Sequence, residues 1–252
     1  MTRAMEQYLR GGLAGTAFCA GCGHGILLGS VLRAVDRLQL PKDDLLFVSG
    51  IGCAAWIPSP NIGVDTLHTL HGRALAFATG AKLANPRLTT IVVSGDGDLS
   101  SIGGNHLIHS ARRNLDVTAI CANNQIYGMT GGQTASTTPL EARTATDPAG
   151  NVFRPFDLCR LVLAAGASFA ARFPVTRPLE LIDAIERAIR TPGFTFVEAV
   201  SPCPTQFGRR NRLGDLTTLY DSIDARCVTA DAAAAMDERE RLAHFVVGEF
   251  EP

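Results

Sequence analysis

Apolar residues fall along this chain in two rhythms. Leu45-Leu46-Phe47-Val48, Leu88–Val93, Val117–Ala122 and Phe194–Ala199 are short continuous runs that read as buried strands, with Ser168–Ala171 a shorter one. Between them the spacing turns helical. His24–Leu38 repeats Ile26, Leu27, Val31, Val35 and Leu38 on one face, and Gly72–Leu83, Ser101–Arg113, Phe156–Ala165 and Leu179–Arg190 also predict helices. Strand and helix in alternation predict an α/β fold, a doubly wound and mostly parallel sheet with helices on both faces. From about Asp215 the pattern fades, and the alanine-rich Thr229–Phe250 is expected as a helix packing on a partner.

Size and charge narrow the picture. The 252 residues are 46% hydrophobic and carry no Pro/Ser-rich linker or internal repeat, so residues 1–252 are expected as one domain with about 215–252 as an extension. A net charge of −1 gives no nucleic-acid footprint, and the short clusters Arg112-Arg113 and Arg209-Arg210-Asn211-Arg212 suit surface or subunit contacts. No apolar run approaches the ~20 residues needed to cross a bilayer. A cytoplasmic protein is the expectation.

The chemistry concentrates at strand ends. Ser94-Gly95-Asp96-Gly97-Asp98 follows the third apolar run, at the carboxyl edge where open α/β sheets hold ligands. Glycines there let backbone approach a diphosphate, but Asp96 would repel that anion unless a divalent cation lay between them. Asn123-Asn124 leaves the neighbouring strand and can offer an amide oxygen and a main-chain carbonyl. Mg²⁺ takes such hard oxygen ligands. Either segment alone is also an ordinary turn. A dinucleotide fingerprint fits less well, because Ser100 stands where its third glycine belongs.

Of seven cysteines, four occupy loops or strand ends: Cys19 and Cys22 in a Cys-x-x-Cys turn, Cys53 after a strand and Cys203 after the last one. Cys121, Cys159 and Cys227 read as structural thiols. Met1–Leu13 is polar and lacks an apolar core, which disfavours disulfides. Zinc and a 4Fe-4S cluster both remain open on the residues alone.

Gly95-Asp96-Gly97 with Asn123-Asn124 resembles the thiamine diphosphate motif of thiamine-dependent enzymes. More broadly, FCAGCGHG (18–25), SGIGCAAWIPSP (49–60), LHTLHGRALAFATGAKLANP (67–86), SGDGDLSSIGGNHLIHSARRN (94–114), NNQIYGMTGGQ (123–133) and VSPCPT (200–205) resemble, in order, the β subunit of 2-oxoacid:ferredoxin oxidoreductases. That resemblance implies thiamine diphosphate, Mg²⁺ held by Asp96, Asn124 and the main chain of Ile126, and one 4Fe-4S cluster on Cys19, Cys22, Cys53 and Cys203. It further implies thiamine contacts from Ile51, Gly52, Cys53, Ala54, Gly95, Gly97, Asp98, Asn124, Gly128, Met129 and Thr130, with His71 in the catalytic role. The expected reaction is oxidative decarboxylation of a 2-oxoacid with coenzyme A, electrons passing to ferredoxin. The surroundings of Trp56 and His71 look most similar to the 2-oxoglutarate branch; pyruvate, branched-chain and aryl 2-oxoacids are the alternatives. An α subunit is expected to complete the thiamine site, in an αβ heterodimer or a dimer of αβ. Ala20 replaces a common Pro and Ala54-Ala55 a common Ser, neither of them a ligand. A non-redox thiamine carboligase and a zinc-bound structural module are the rival classes.

Overall fold

The computed structural model describes residues 6–11 and 15–252; residues 1–5 and 12–14, and with them much of the polar Met1–Leu13 stretch, lie outside the described residues. The strands are β1 (Leu45–Ser49), β2 (Asp65–His68), β3 (Thr89–Gly95), β4 (Val117–Asn123), β5 (Phe169–Pro174) and β6 (Phe194–Val200), and the helices between them α1 (His24–Leu38), α2 (Ala74–Ala84), α3 (Gly104–Arg113), α4 (Leu158–Ala164) and α5 (Pro178–Arg190). The sheet runs β2-β1-β3-β4-β6-β5 with every pairing parallel, and a short antiparallel strand closes its far edge. This is the doubly wound layout that the alternation predicts.

Burial explains why the runs are continuous. All residues of β1, β4 and β6 are buried, because helices cover both sheet faces. One apolar layer packs Leu27, Val31 and Val35 of α1 and Leu181 and Ile185 of α5 on Phe47, Ile91 and Val197. The opposite layer packs Leu75, Leu107 and Val162 of α2, α3 and α4 on Val48, Val92 and Phe196. Each fully buried aromatic here contributes about 1.5–3 kcal/mol.

The strand order places the chemistry. β1, β3, β4 and β6 are successive neighbours, and their carboxyl ends lead into Cys53, Asp96, Asn124 and Cys203. The two metal-directed segments are thus central and the two cysteine segments flank them.

After α6 (Leu216–Ala225) the expected single helix over Thr229–Phe250 is not formed. The segment instead makes β7 (Cys227–Val228), α7 (Ala230–Ala234), α8 (Glu238–Leu242), β8 (Phe245–Val246) and β9 (Gly248–Phe250). Thr229 and Asp237 each cap a new helix start, accepting from Ala232 N and Glu240 N, and Gly248 bends the chain at φ 139°. β9 is the strand that pairs antiparallel with β5, so the segment completes the sheet of its own chain.

A buried ion network ties that segment to the site. Arg172 Nε donates to Glu198 at 2.8 Å, its Nη2 to Asp157 at 2.6 Å and its Nη1 to the Val246 carbonyl at 3.1 Å. Glu198 also accepts from Asn123 Nδ2 at 2.6 Å, at the root of the Asn124 turn. Removing one partner leaves the other charge buried and unpaired, so Glu198→Ala is expected to cost about 3–5 kcal/mol. Denaturant unfolding checks this, and a loss below about 1 kcal/mol would reduce the network to the worth of a surface pair.

Candidate active site

A single pocket gathers Ile51, Gly52, Cys53, Ala54, His71, Gly95, Asp96, Gly97, Asp98, Asn124, Ile126, Gly128, Met129 and Thr130 from four strand ends. Those are the sequence-expected thiamine and metal residues. His24 and Tyr127 also line it, and neither was singled out from the sequence.

Asp96 is 1% exposed. Its carboxylate accepts from the Thr137 hydroxyl and, at 3.4 Å, from Asn124 N. Burial outweighs these donors and pushes its pKa up to about 7. An oxygen donor this dry calls for a cation. Asn124 Oδ1 turns back to Ile126 N at 3.2 Å, which draws the turn tight. Among the described residues none donates to the Ile126 carbonyl. Carboxylate, amide and free carbonyl in one pocket are a hard-oxygen set that fits Mg²⁺ beside a diphosphate.

Gly97 is required for closeness: a side chain there would come within 2.7 Å of the Tyr127 ring. Tyr127 itself donates to the Gly97 carbonyl at 2.8 Å and packs edge-on against His71, with ring centroids 5.8 Å apart. His71 Nδ1 pairs with Asp98. Asp98 also accepts from Ser94 Oγ, from Gly72 N at 2.7 Å and from Ile51 N at 3.4 Å. Its carboxylate is therefore spent on holding His71 and the loops after β1 and β2, which leaves His71 Nε2 for a ligand.

Beside this lie the thiols. All seven cysteines are free. Gly52, at φ 117°, turns Cys53 inward with a backbone that only glycine adopts readily. Cys19 Sγ and Cys203 Sγ each lie 3.7 Å from Thr205 Oγ1. Burial, with a smaller push from neighbouring thiols of the set, raises Cys22 to about 12 and Cys53 to about 11. Without a cation these thiols stay protonated; a bound metal would take them as thiolates. Four thiolates from separate segments are a donor set that zinc or an iron–sulfur centre takes. The two halves meet at Gly128: a methyl group there would sit 3.5 Å from Cys203 Sγ, 3.8 Å from Cys53 Sγ and 3.6 Å from Asn124 Nδ2.

Residues 50–199 match the family model described as "Thiamine pyrophosphate enzyme, C-terminal TPP binding domain". The 2-oxoglutarate synthase subunit KorB of Methanothermobacter marburgensis is 46% identical over 244 residues, 97% of this chain and 85% of that one. The chain belongs to the β-subunit family of 2-oxoacid:ferredoxin oxidoreductases. KorB of Archaeoglobus fulgidus is 53% identical over 205 residues, 81% of this chain and 76% of that one. A solved 2-oxoglutarate:ferredoxin oxidoreductase from Magnetococcus marinus, with 2-oxoglutarate, coenzyme A and succinyl-CoA bound, is 32% identical with a TM-score of 0.84, covering 98% of this chain and 84% of that one. Family membership makes this chain part of a thiamine pyrophosphate-dependent oxidoreductase and confirms the α/β class. No helix among the described residues is long and apolar enough to cross a membrane.

The tryptophan and the histidines of β2 and α3 lie elsewhere. Trp56 is 38% exposed and does not line the pocket. His106 and His109 sit on α3, outside the pocket. His68 lies at the end of β2, with Nδ1 3.4 Å from Ser49 Oγ.

His24 is the notable addition. It is 1% exposed, its Nδ1 lies 2.8 Å from Ser201 Oγ, and burial pushes its pKa down to about 4, which keeps the ring neutral. Its Nε2 is buried without a partner among the described residues. Thr137, too, reaches Asp96 from a distant loop, and no local pattern marks it.

Proposed function

We propose that this chain is the β subunit of a 2-oxoglutarate:ferredoxin oxidoreductase, a cytoplasmic enzyme that converts 2-oxoglutarate and coenzyme A to succinyl-CoA and CO₂ while reducing ferredoxin. The observation that carries the proposal is the meeting at Gly128, where two thiols and the metal-turn amide converge within 4 Å of one point. A carboligase needs the metal turn alone and a zinc module the thiols alone; electron removal needs both together. The names of the KorB relatives and the ligands in the Magnetococcus marinus structure support the choice of acid.

Thiamine pyrophosphate supplies, when bound, the nucleophilic carbon and electron sink for decarboxylation. Asp96, Asn124 and the Ile126 carbonyl would hold Mg²⁺, and the loop Gly128-Met129-Thr130 would offer backbone amides to the diphosphate. His71, steadied by Asp98, presents Nε2 to the same pocket and holds a donor or acceptor position beside the reacting group. Cys19, Cys22, Cys53 and Cys203 would hold a 4Fe-4S cluster close enough to take electrons one at a time. An α subunit completes the site, in an αβ heterodimer or a dimer of αβ.

The test is a 2-oxoacid panel on the complex co-expressed with its α partner and purified without air. Ferredoxin reduction is expected with 2-oxoglutarate and only when coenzyme A is present. Preference for pyruvate would overturn the choice of acid but keep the reaction. Carbon–carbon bond formation without iron, or zinc in its place, would overturn the class.

A further inference from the structure

Resting on the cluster reading above, we infer that His24 is a positioning residue that donates a hydrogen bond from Nε2–H to a sulfur of the iron–sulfur centre. By doing so it holds the potential of that centre up. The ring is clamped between two cysteine-bearing segments. His24 opens α1 two residues after Cys22. Its Nδ1 contacts Ser201 Oγ at 2.8 Å, two residues before Cys203, and Gly23 N donates to the Pro202 carbonyl at 3.3 Å. Phe18 packs edge-on against the ring at 5.9 Å and closes its outer side.

Proton bookkeeping assigns the tautomer. Ser201 Oγ has His24 as its only side-chain partner among the described residues. If Nδ1–H donated to it, the hydroxyl proton would be left buried with no acceptor. If Ser201 donates to Nδ1, one bond satisfies both groups, and the second ring proton resides on Nε2. That N–H is one of two side-chain polar atoms buried without a partner among the described residues, the other being Thr90 Oγ1. His24 shares the pocket with Cys53, and its two anchors are attached to Cys22 and Cys203. A sulfur-rich anion is the acceptor this position offers. Hydrogen bonds to cluster sulfurs favour the reduced, more negative state and so raise the reduction potential.

The experiment compares the parent with His24→Phe and His24→Gln in the αβ complex purified without air. Iron and sulfide content and visible absorbance report whether the cluster is present at all; an iron-free parent sinks the cluster reading itself. In a loaded complex, His24→Phe is expected to lower the ratio of reduced to oxidised cluster at fixed potential about tenfold, equal to 59 mV for one electron. His24→Gln, which keeps an N–H donor, is expected to recover most of that shift. An unmoved potential in loaded His24→Phe overturns the inference, and a raised KM for the 2-oxoacid with that unmoved potential would assign the donor to the substrate instead. Should His24→Phe fail to load, pulsed EPR on the reduced parent grown with ¹⁵N-histidine decides: a ¹⁵N coupling to the cluster is expected, and its absence overturns the inference.

Discussion

Asp96→Asn is expected to abolish retention of thiamine pyrophosphate and Mg²⁺ while making the metal-free chain more stable at pH 8. The loss follows from the site: of the two carboxylates that line the pocket among the described residues, Asp98 is held by His71, Ser94 and two backbone amides, whereas Asp96 meets one hydroxyl and one long backbone contact. Loss of a direct ligand should exceed the ~10–100-fold cost of losing an outer-shell partner. The gain in stability follows from burial. Asp96 titrates near 7 in the folded chain instead of 3.8. Because its folded value is raised, the group is best tolerated below the unfolded value, and stability is lost as pH climbs through about 7. At 1.36 kcal/mol per unit the charged form costs about 4 kcal/mol at pH 8. An amide carries no such cost, and the Thr137 hydroxyl can turn to accept from it. The same linkage predicts that Mg²⁺ competes with a proton, so its affinity for the parent should fall about tenfold per unit below pH 7. Calorimetric titration of cofactor and thermal unfolding of the apo chain read both effects. Unchanged retention would refute the metal assignment; an apo chain no more stable than the parent would refute the assigned cost of burying the charge.

Cys53→Ala is expected to give the opposite dissociation: iron and visible absorbance lost, thiamine pyrophosphate kept. Cys53 is delivered by Gly52 to a point shared with Cys203 and the Asn124 amide, yet the oxygen ligands come from β3 and β4. With the cluster gone, electrons have no exit, and ferredoxin reduction should fall to background. Metal analysis and absorbance spectra of the complex check this. A variant that keeps its iron and its spectrum removes Cys53 from the ligand set, and one that also loses thiamine shows that the two halves are not independent.

How much of this was legible in the residues depended on whether the signal was local. β3, β4 and β6 announced themselves because both of their faces are covered, and a strand covered on both sides must be apolar at consecutive positions. β2 did not, since Asp65–His68 is an edge strand whose side chains are largely exposed and polar. The tail misled because alanine favours helix anywhere, whereas two caps, Gly248 and the Phe245-Val246 pair divide it. That Asp96, Asn124 and Cys53 would meet in one pocket was readable from motif and resemblance. His24, Thr137 and Tyr127 were not, because each acquires its part only when strand order brings it against a distant segment. The pairing of Asp98 with His71 was hidden for the same reason.

The split origin of the four thiols has a consequence in time. Cys19 and Cys22 are made early, whereas Cys203 emerges only after β6, the last strand of the parallel series. Iron delivered to a nascent chain would therefore meet an incomplete cage. If those four thiols hold the proposed cluster, maturation would wait until the sheet has closed, and loading the inorganic core would then staple the amino-terminal turn to the far end of a finished scaffold.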